Sequence, residues 1–360
     1  MIILGLVSLL NDSASEMITP LLPVFLTVTL GAGPAVVGLV EGVAEATSSL
    51  LKLASGWLSD RGWNAKKLVV GGYSVSNLAR PLIGLAVNWT WVLALRFLDR
   101  LGKGLRTSPR DAMIAAAVPP ENRGRAFGFH RGMDHAGAMV GPLIAFALLG
   151  IGMEMQQVFL ASVVPGGCTV LLLVLGLQHP PAQPAPIVPL LRWRELDARL
   201  RALIVASGAL AFASVPEAFI ILWAISMGLD LFWIPLLWAV AHAVKAAVSV
   251  PAGILSDRIG RLRVVTFGWC ARIAILLLIA TATDGDALVW ALFLAYGAAL
   301  AVTEGAERAL IGDHAPQTQK GTAFGVYHMV GSAMALPGAV LFGAIWQWAG
   351  MIPAFITAAT

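Results

Sequence analysis

Six charged residues fall within one otherwise apolar stretch: Arg96, Asp99, Arg100, Lys103, Arg106 and Arg110. Steps of three, four and seven place them largely on one face of a helix. From Arg96 to Arg110 such a helix climbs roughly 21 Å. On the lowest scales a single charge at the bilayer centre costs about 2.5–3.5 kcal/mol, so this face must line water or meet acids on neighbouring helices. Acids are at hand in Asp12, Glu16, Glu41, Glu45 and Asp134. Two chemistries follow. Arg100, Lys103 and Arg106 can bind an anionic or carboxylate-bearing solute. A buried acid with a mobile basic partner can exchange protons, because losing the partner raises its proton affinity. The alternative is a scaffold in which the charges only neutralise one another, and pairing in three dimensions decides between them.

A second constellation holds His130, Arg131, Asp134 and His135. His130 and Asp134, four apart, share a helical face and can relay protons. His with carboxylate also suits a transition metal. No second ligand cluster has firm spacing and the arginines repel a cation, so no metal or other cofactor is assigned. Cys168 and Cys270 fall inside apolar spans and form no disulfide framework. The proton-coupling candidates are Asp134 with His130, and Glu16 with Asp12. Further on, Ser214-x2-Glu217 repeats the pattern Ser13-x2-Glu16, and Glu304 is another intramembrane acid. Glu217 and Glu304 are therefore cavity candidates, while Glu307 and Arg308 read as structural.

These residues need membrane spans to position them. Of 360 residues, 58% are hydrophobic and 12% charged, with mean hydropathy +0.81. No soluble domain of this size has that composition. Apolar stretches long enough to cross a bilayer lie near 1–29, 34–58, 67–87, 90–117, 124–149, 156–178, 202–228, 232–256, 263–282, 287–312 and 321–346. A twelfth begins near Met351 and stops at Thr360, so the expectation is a last helix cut short. The first stretch is too long and too interrupted by polar residues for a cleaved signal. Lys and Arg collect in every second connection, including Arg61, Lys66, Lys67, Arg123, Arg125 and the Arg258–Arg263 turn. That bias predicts a cytoplasmic N-terminus in an inner (cytoplasmic) membrane. It also accounts for the pI of 9.3 without nucleic acid.

The chain also repeats itself. Gly56-Trp-Leu-Ser-Asp60-Arg61 returns as Gly253-Ile-Leu-Ser-Asp257-Arg258, an offset of 253 minus 56, or 197, residues. Ala126-Phe-Gly128 returns as Ala323-Phe-Gly325 at the same offset. Doubled membrane chains build two bundles that rock around a midplane site. The expected organisation is a six-helix bundle over 1–178, a Pro-rich and then amphipathic cytoplasmic linker over 179–201, and a second bundle over 202–360.

The motif Gly253-x3-Asp257-Arg258-x-Gly260-Arg261-x-Arg263 resembles that of the major facilitator superfamily between its second and third helices. The first copy keeps Asp60 and Arg61 but has Trp63 and Asn64 where Gly and a basic residue are usual. Arg96-Phe-Leu in span four resembles the family's arginine motif. In span five, Gly128-x8-Gly137-x3-Gly141-Pro142 resembles the signature of proton-coupled exporters, with Ala145-Phe146 in place of the closing Gly-Gly. The resemblance implies an all-α, twelve-helix transporter with spans one, four, seven and ten around the cavity. It further implies gating by Asp60, Arg61, Arg96, Asp257 and Arg258, and a helix-five motif of Gly128, Gly137, Gly141 and Pro142. The expected activity is secondary transport of a small solute by alternating access, coupled to protons, in the export direction, by a monomer in the lipid bilayer. An importer or facilitator of a small anion fits the same pattern, and a metal-ion transporter fits less well. A membrane enzyme needs a metal-diphosphate pattern, which Asp99 and Asp111 with basic residues between them do not make.

Overall fold

The computed structural model describes residues 2–60, 63–116, 123–176, 197–283, 285–314 and 320–360. Among the described residues every regular element is helical. Span one is α1 (Ile2–Glu16), followed by turns into α2 (Leu22–Val24) and a π-helical turn over Phe25–Thr29. Pro20 and Pro23 lack the amide that would continue α1, and the chain tightens there, with Ile18 N–H donating to Ser15 C=O at 3.1 Å. Spans two to six are α3 (Pro34–Asp60), α4 (Ala65–Leu82), α5 (Trp89–Ala116), α6 (Arg123–Gly150), and α7 (Met155–Ala161) with α8 (Val163–Gly176). Asn64, which departs from the family motif, is the N-cap of α4, its side chain accepting from Lys67 N–H at 3.2 Å.

Span seven is broken. It consists of α9 (Ala198–Ala213) and α10 (Glu217–Ser226), with Ser214, Val215 and Pro216 between them. Spans eight to eleven are α11 (Ile234–Ile259), α12 (Arg261–Thr281), α13 (Asp286–His314) and α14 (Lys320–Ala349), and α15 (Met351–Ala359) follows. Among the described residues, eight helical stretches are long and apolar enough to cross a membrane. Spans one, three and four fall short of that standard. They carry the buried Asn11, Arg80 and Asp99, and α4 packs against both α1 and α5.

The chain divides into two compact units. One holds the residues up to Leu30, those from Val43 of α3 through α8, and Phe232–Ala239. Its core joins Leu4 and Val7 to Val69, Tyr73, Ile114 and Leu173, and the Phe146 and Phe232 rings lie 4.4 Å apart. The other unit holds Gly31–Gly42, α9, α10 and the chain from Val240 onward. There Leu200, Ile204 and Ile311 are buried together, and Ala35 N–H donates to Gln347 Oε1 at 3.3 Å.

Small residues set the closest helix approaches. A Cβ on Gly141 of α6 would fall 2.4 Å from the Ser13 carbonyl oxygen of α1, and one on Gly137 2.5 Å from that of Leu9. Gly338, 197 positions after Gly141, meets the Phe212 carbonyl of α9 in the same way, at 2.1 Å. The sequence repeat is thus a repeat of packing: span five lies against span one as span eleven lies against span seven. Ser13 and Ser214, 201 rather than 197 positions apart, make the same local bond, each donating at 2.8 Å to the carbonyl four residues earlier.

Candidate functional site

The charged face of α5 splits into a sealed part and an open part. Asp99 is wholly buried, and Arg80, Arg96 and Arg106 are each 3% exposed or less. Arg80 Nε donates to Asp99 Oδ1 at 2.8 Å. Arg96 Nη1 lies 3.5 Å from Oδ2 and Arg100 Nε 3.8 Å from it. Arg80 Nη1 also donates to the Asn11 carbonyl at 3.1 Å and to Asn11 Oδ1 at 2.9 Å. Asn77 donates to the Tyr73 carbonyl at 2.9 Å, and Ser76 Oγ to the Asp99 carbonyl at 2.8 Å. Arg106 Nη1 donates to Ser76 Oγ at 2.6 Å, its guanidinium 4.3 Å above the Tyr73 ring. Side chains of α1, α4 and α5 are locked together in this way: Arg80, Asp99 and Arg106 are hydrogen-bonded, and Arg96 is held to Asp99 as an ion pair.

The packing gives two expected site residues this character. Arg106 faces the α4–α5 interface and a tyrosine ring. Arg96, expected at a gate, is held against Asp99. Of the cations expected to touch solute, Arg100 and Lys103 keep partial exposure. Lys103 sits in the electrostatic neighbourhood of Arg100, Glu45, Lys52 and Asp12.

The acids of α1 and α6 form a second layer. Asp12 accepts from Asn11 Nδ2 at 2.9 Å, and Glu16 accepts from the Trp238 indole N–H at 3.0 Å. Asp134 accepts from Ser8 Oγ and lies 3.5 Å from His130 Nδ1. The helix-five glycines bring α6 onto α1 at these acids: a Cβ on Gly137 would stand 2.9 Å from Asp12 Cβ, and one on Gly141 3.1 Å from Glu16 Cβ. Sequence spacing had paired Asp12 with Glu16 and His130 with Asp134. The fold brings both pairs to one helix–helix seam.

The second unit has its own cluster, at the break in span seven. Glu217, the first residue of α10, accepts from Lys245 Nζ of α11 at 2.5 Å. The two side chains are 25% and 18% exposed, against 0% for Asp99. Arg272 of α12 donates to Ser214 Oγ at 3.1 Å and stacks 3.9 Å from the Trp269 ring. Tyr296 of α13 donates to the Val215 carbonyl at 2.7 Å. Tyr296 thus satisfies a backbone carbonyl at the break, and Arg272 holds the serine hydroxyl beside it. Tyr296 follows Asp99 by 197 positions, so the repeat places a polar anchor in span ten as in span four.

Glu304 lies elsewhere. It is 60% exposed and pairs with Arg308 on its own helix at 2.5 Å. Glu307 accepts from Trp269 Nε1 at 2.8 Å and Tyr327 Oη at 3.4 Å.

Among the gating residues, Arg61 lies outside the described residues, as do the side chain of Asp60 and the surroundings of Gly128. Asp257 lies 3.6 Å from Arg261, and Arg258 is exposed. The reach across helices belongs to Arg261, whose Nη1 donates to the Ala309 carbonyl at 2.7 Å and to Asp313 Oδ2 at 2.5 Å. Sequence reasoning did not assign roles to Arg80, Asn11, Asn77, Arg272, Tyr296 or Asp313. Arg80 and Arg272 carried a usable signal, each being a single cation well inside an apolar span.

A multi-pass helical bundle with ion pairs buried between its helices is an architecture that solute transporters use. The chain belongs to the major facilitator superfamily, whose family model matches residues 4–339. It is 32% identical over 352 residues to an uncharacterised MFS-type transporter of Methanocaldococcus jannaschii, covering 96% of this chain and 88% of that protein. Over 131 residues it is 34% identical to the multidrug resistance protein MdtH of Photorhabdus laumondii, covering 36% of this chain and 32% of that one. In fold it is similar to the crystal structure of the nucleoside transporter NupG, with TM-score 0.83 at 14% identity over 99% of this chain and 94% of that one. It is an integral membrane protein that acts on small molecules.

Proposed function

We propose that this transporter exports a small solute in exchange for protons, with its N-terminus in the cytoplasm. The observation that carries the reading is the kind of donor each acid meets. Asp99 is bound by the Arg80 guanidinium, with those of Arg96 and Arg100 within 4 Å, which is the setting of a fixed counter-ion. Asp12 and Glu16 accept instead from an amide and an indole. A neutral donor suits a carboxylate that must be charged in one state and protonated in another. Asp134, with Ser8 and His130, completes the set. The approach of Gly137 and Gly141 to these acids supports the same reading, since it puts the exporter-like motif against them. The likeness to a multidrug resistance protein over about a third of the chain supports export. The positive-inside bias supports the orientation.

The test is transport by the full chain in proteoliposomes with an imposed pH gradient, following internal pH as anionic, zwitterionic and cationic solutes are added. Solute-dependent proton flux is the expected result, and its sign separates exchange from co-transport. Solute movement down its own gradient with no proton flux would defeat the coupling.

A further inference from the structure

The break in span seven gathers cations around Glu217. Glu217 interacts with Lys245 and His242 from α11, Arg272 from α12 and Tyr296 from α13. With histidine neutral, Glu217, Lys245 and Arg272 together carry one net positive charge. The helix α10, ten residues long, starts at Glu217, so its amino end lies at the same break. Arg272 is 4% exposed, and among the described residues its Nε has no hydrogen-bond partner, while its Nη2 is fixed on Ser214 at the break. A buried guanidinium with an idle N–H, beside a helix amino end and a partly exposed ammonium, is the chemistry of an anion subsite.

We propose that the break in span seven binds the carboxylate of the transported solute, with Lys245 and Arg272 as its cations and Glu217 as a resident competitor. Glu217 holds Lys245 at 2.5 Å. A solute carboxylate takes that position, and Glu217 swings away into the opening that its 25% exposure provides. The contrast with Arg80–Asp99 is instructive. That pair has 3% and 0% exposure, against 18% and 25% for Lys245 and Glu217, so of these two pairs the one at the break is the better placed to trade partners. The inference rests on the transporter reading and names the solute class as small organic anions.

The experiment uses the purified full chain at one neutral pH with hippurate, a monocarboxylate, as probe, and reads binding by calorimetry and by thermal shift. Hippurate is expected to stabilise the wild type. Lys245→Gln should weaken it about thirtyfold or more, the usual loss when one partner of a desolvated charge contact is removed. Glu217→Gln should tighten it, because the competitor has gone. Lys245→Arg should restore much of the binding, which separates a lost charge from a lost fold. A structural pair predicts otherwise: both Gln variants would melt earlier and bind hippurate equally poorly. That pattern, or no hippurate binding by wild type, overturns the proposal. Proton flux elicited only by cationic solutes would sink the anion subsite and leave the exchanger standing. Hippurate binding with the expected variant pattern but no proton flux would do the reverse.

Discussion

Asp99→Asn tests whether the sealed half of the α5 stripe is scaffold. The substitution keeps shape and removes one negative charge. It takes from Arg80, 2% exposed, the carboxylate that its Nε binds at 2.8 Å. At an effective dielectric of about 20, unit charges some 4 Å apart attract by about 4 kcal/mol. Breaking one side of a buried pair by mutation typically costs about 3–5 kcal/mol, in agreement. For a chain of this length that is a drop in Tm of about 5 °C. Arg80→Gln should cost a similar amount, since it strands Asp99, Asn11 and Asn77 together. The informative variant is the double one. With both charges gone, neither is left unpaired, so the combined loss should fall short of the sum of the single losses by about 2 kcal/mol. The assay is thermal unfolding of detergent-solubilised protein, with tryptophan fluorescence as a second probe. Single variants within about 1 °C of wild type, or a double variant showing the full sum, would refute the reasoning. The charges would then be solvated, and the stripe would be part of the cavity.

Other expectations follow from the same contacts. Asp134→Asn should abolish gradient-driven transport while preserving solute counterflow, and normal pH-driven transport in that variant would remove Asp134 from the coupling set. Gly141→Val places a Cβ 2.4 Å from the Ser13 carbonyl; it should force α6 off α1 and eliminate transport, whereas unaltered transport would mean the seam is looser than drawn. Arg261→Gln and Asp313→Asn should behave alike, with changed transport rate and a stability change below about 1 kcal/mol, as partly exposed pairs allow; opposite effects on rate would break the pairing. Glu304→Gln, at an exposed site paired only along its helix, should leave transport within about twofold of wild type, since such pairs contribute only about 0.3–0.5 kcal/mol; loss of transport would return Glu304 to the cavity.

Much of the fold was legible because membrane spans announce themselves by length and apolarity, and the repeated Gly-x3-Asp-Arg phrase announces the doubling. The helix-five motif was legible for a related reason: only glycine permits the approach seen at Gly137 and Gly141. The site was harder to read. The stripe from Arg96 to Arg110 showed which side chains share a face but not what meets them. Arg106 found a serine and a tyrosine ring, and Arg96 found Asp99, since partners contributed by α4 are invisible to spacing along α5. Glu217 and Glu304 looked alike as isolated acids. One sits at a helix break beside Lys245, and the other beside an arginine four residues along its own helix. The break itself left a trace in Pro216, which takes up the N-cap position of α10.

The Arg80–Asp99 bond also bears on how the chain enters the membrane. Neither α4 nor α5 meets the hydropathy that would let it partition into lipid alone, and each carries the charge that the other neutralises. The two must therefore leave the insertion machinery as a hairpin, bond already formed, with Asn11 of α1 waiting to cap Arg80. Asp99→Asn should then cause trouble before any folded protein exists to be melted. A nascent chain ending after α5 would be held back or misoriented, although most of the spans that follow could enter unaided.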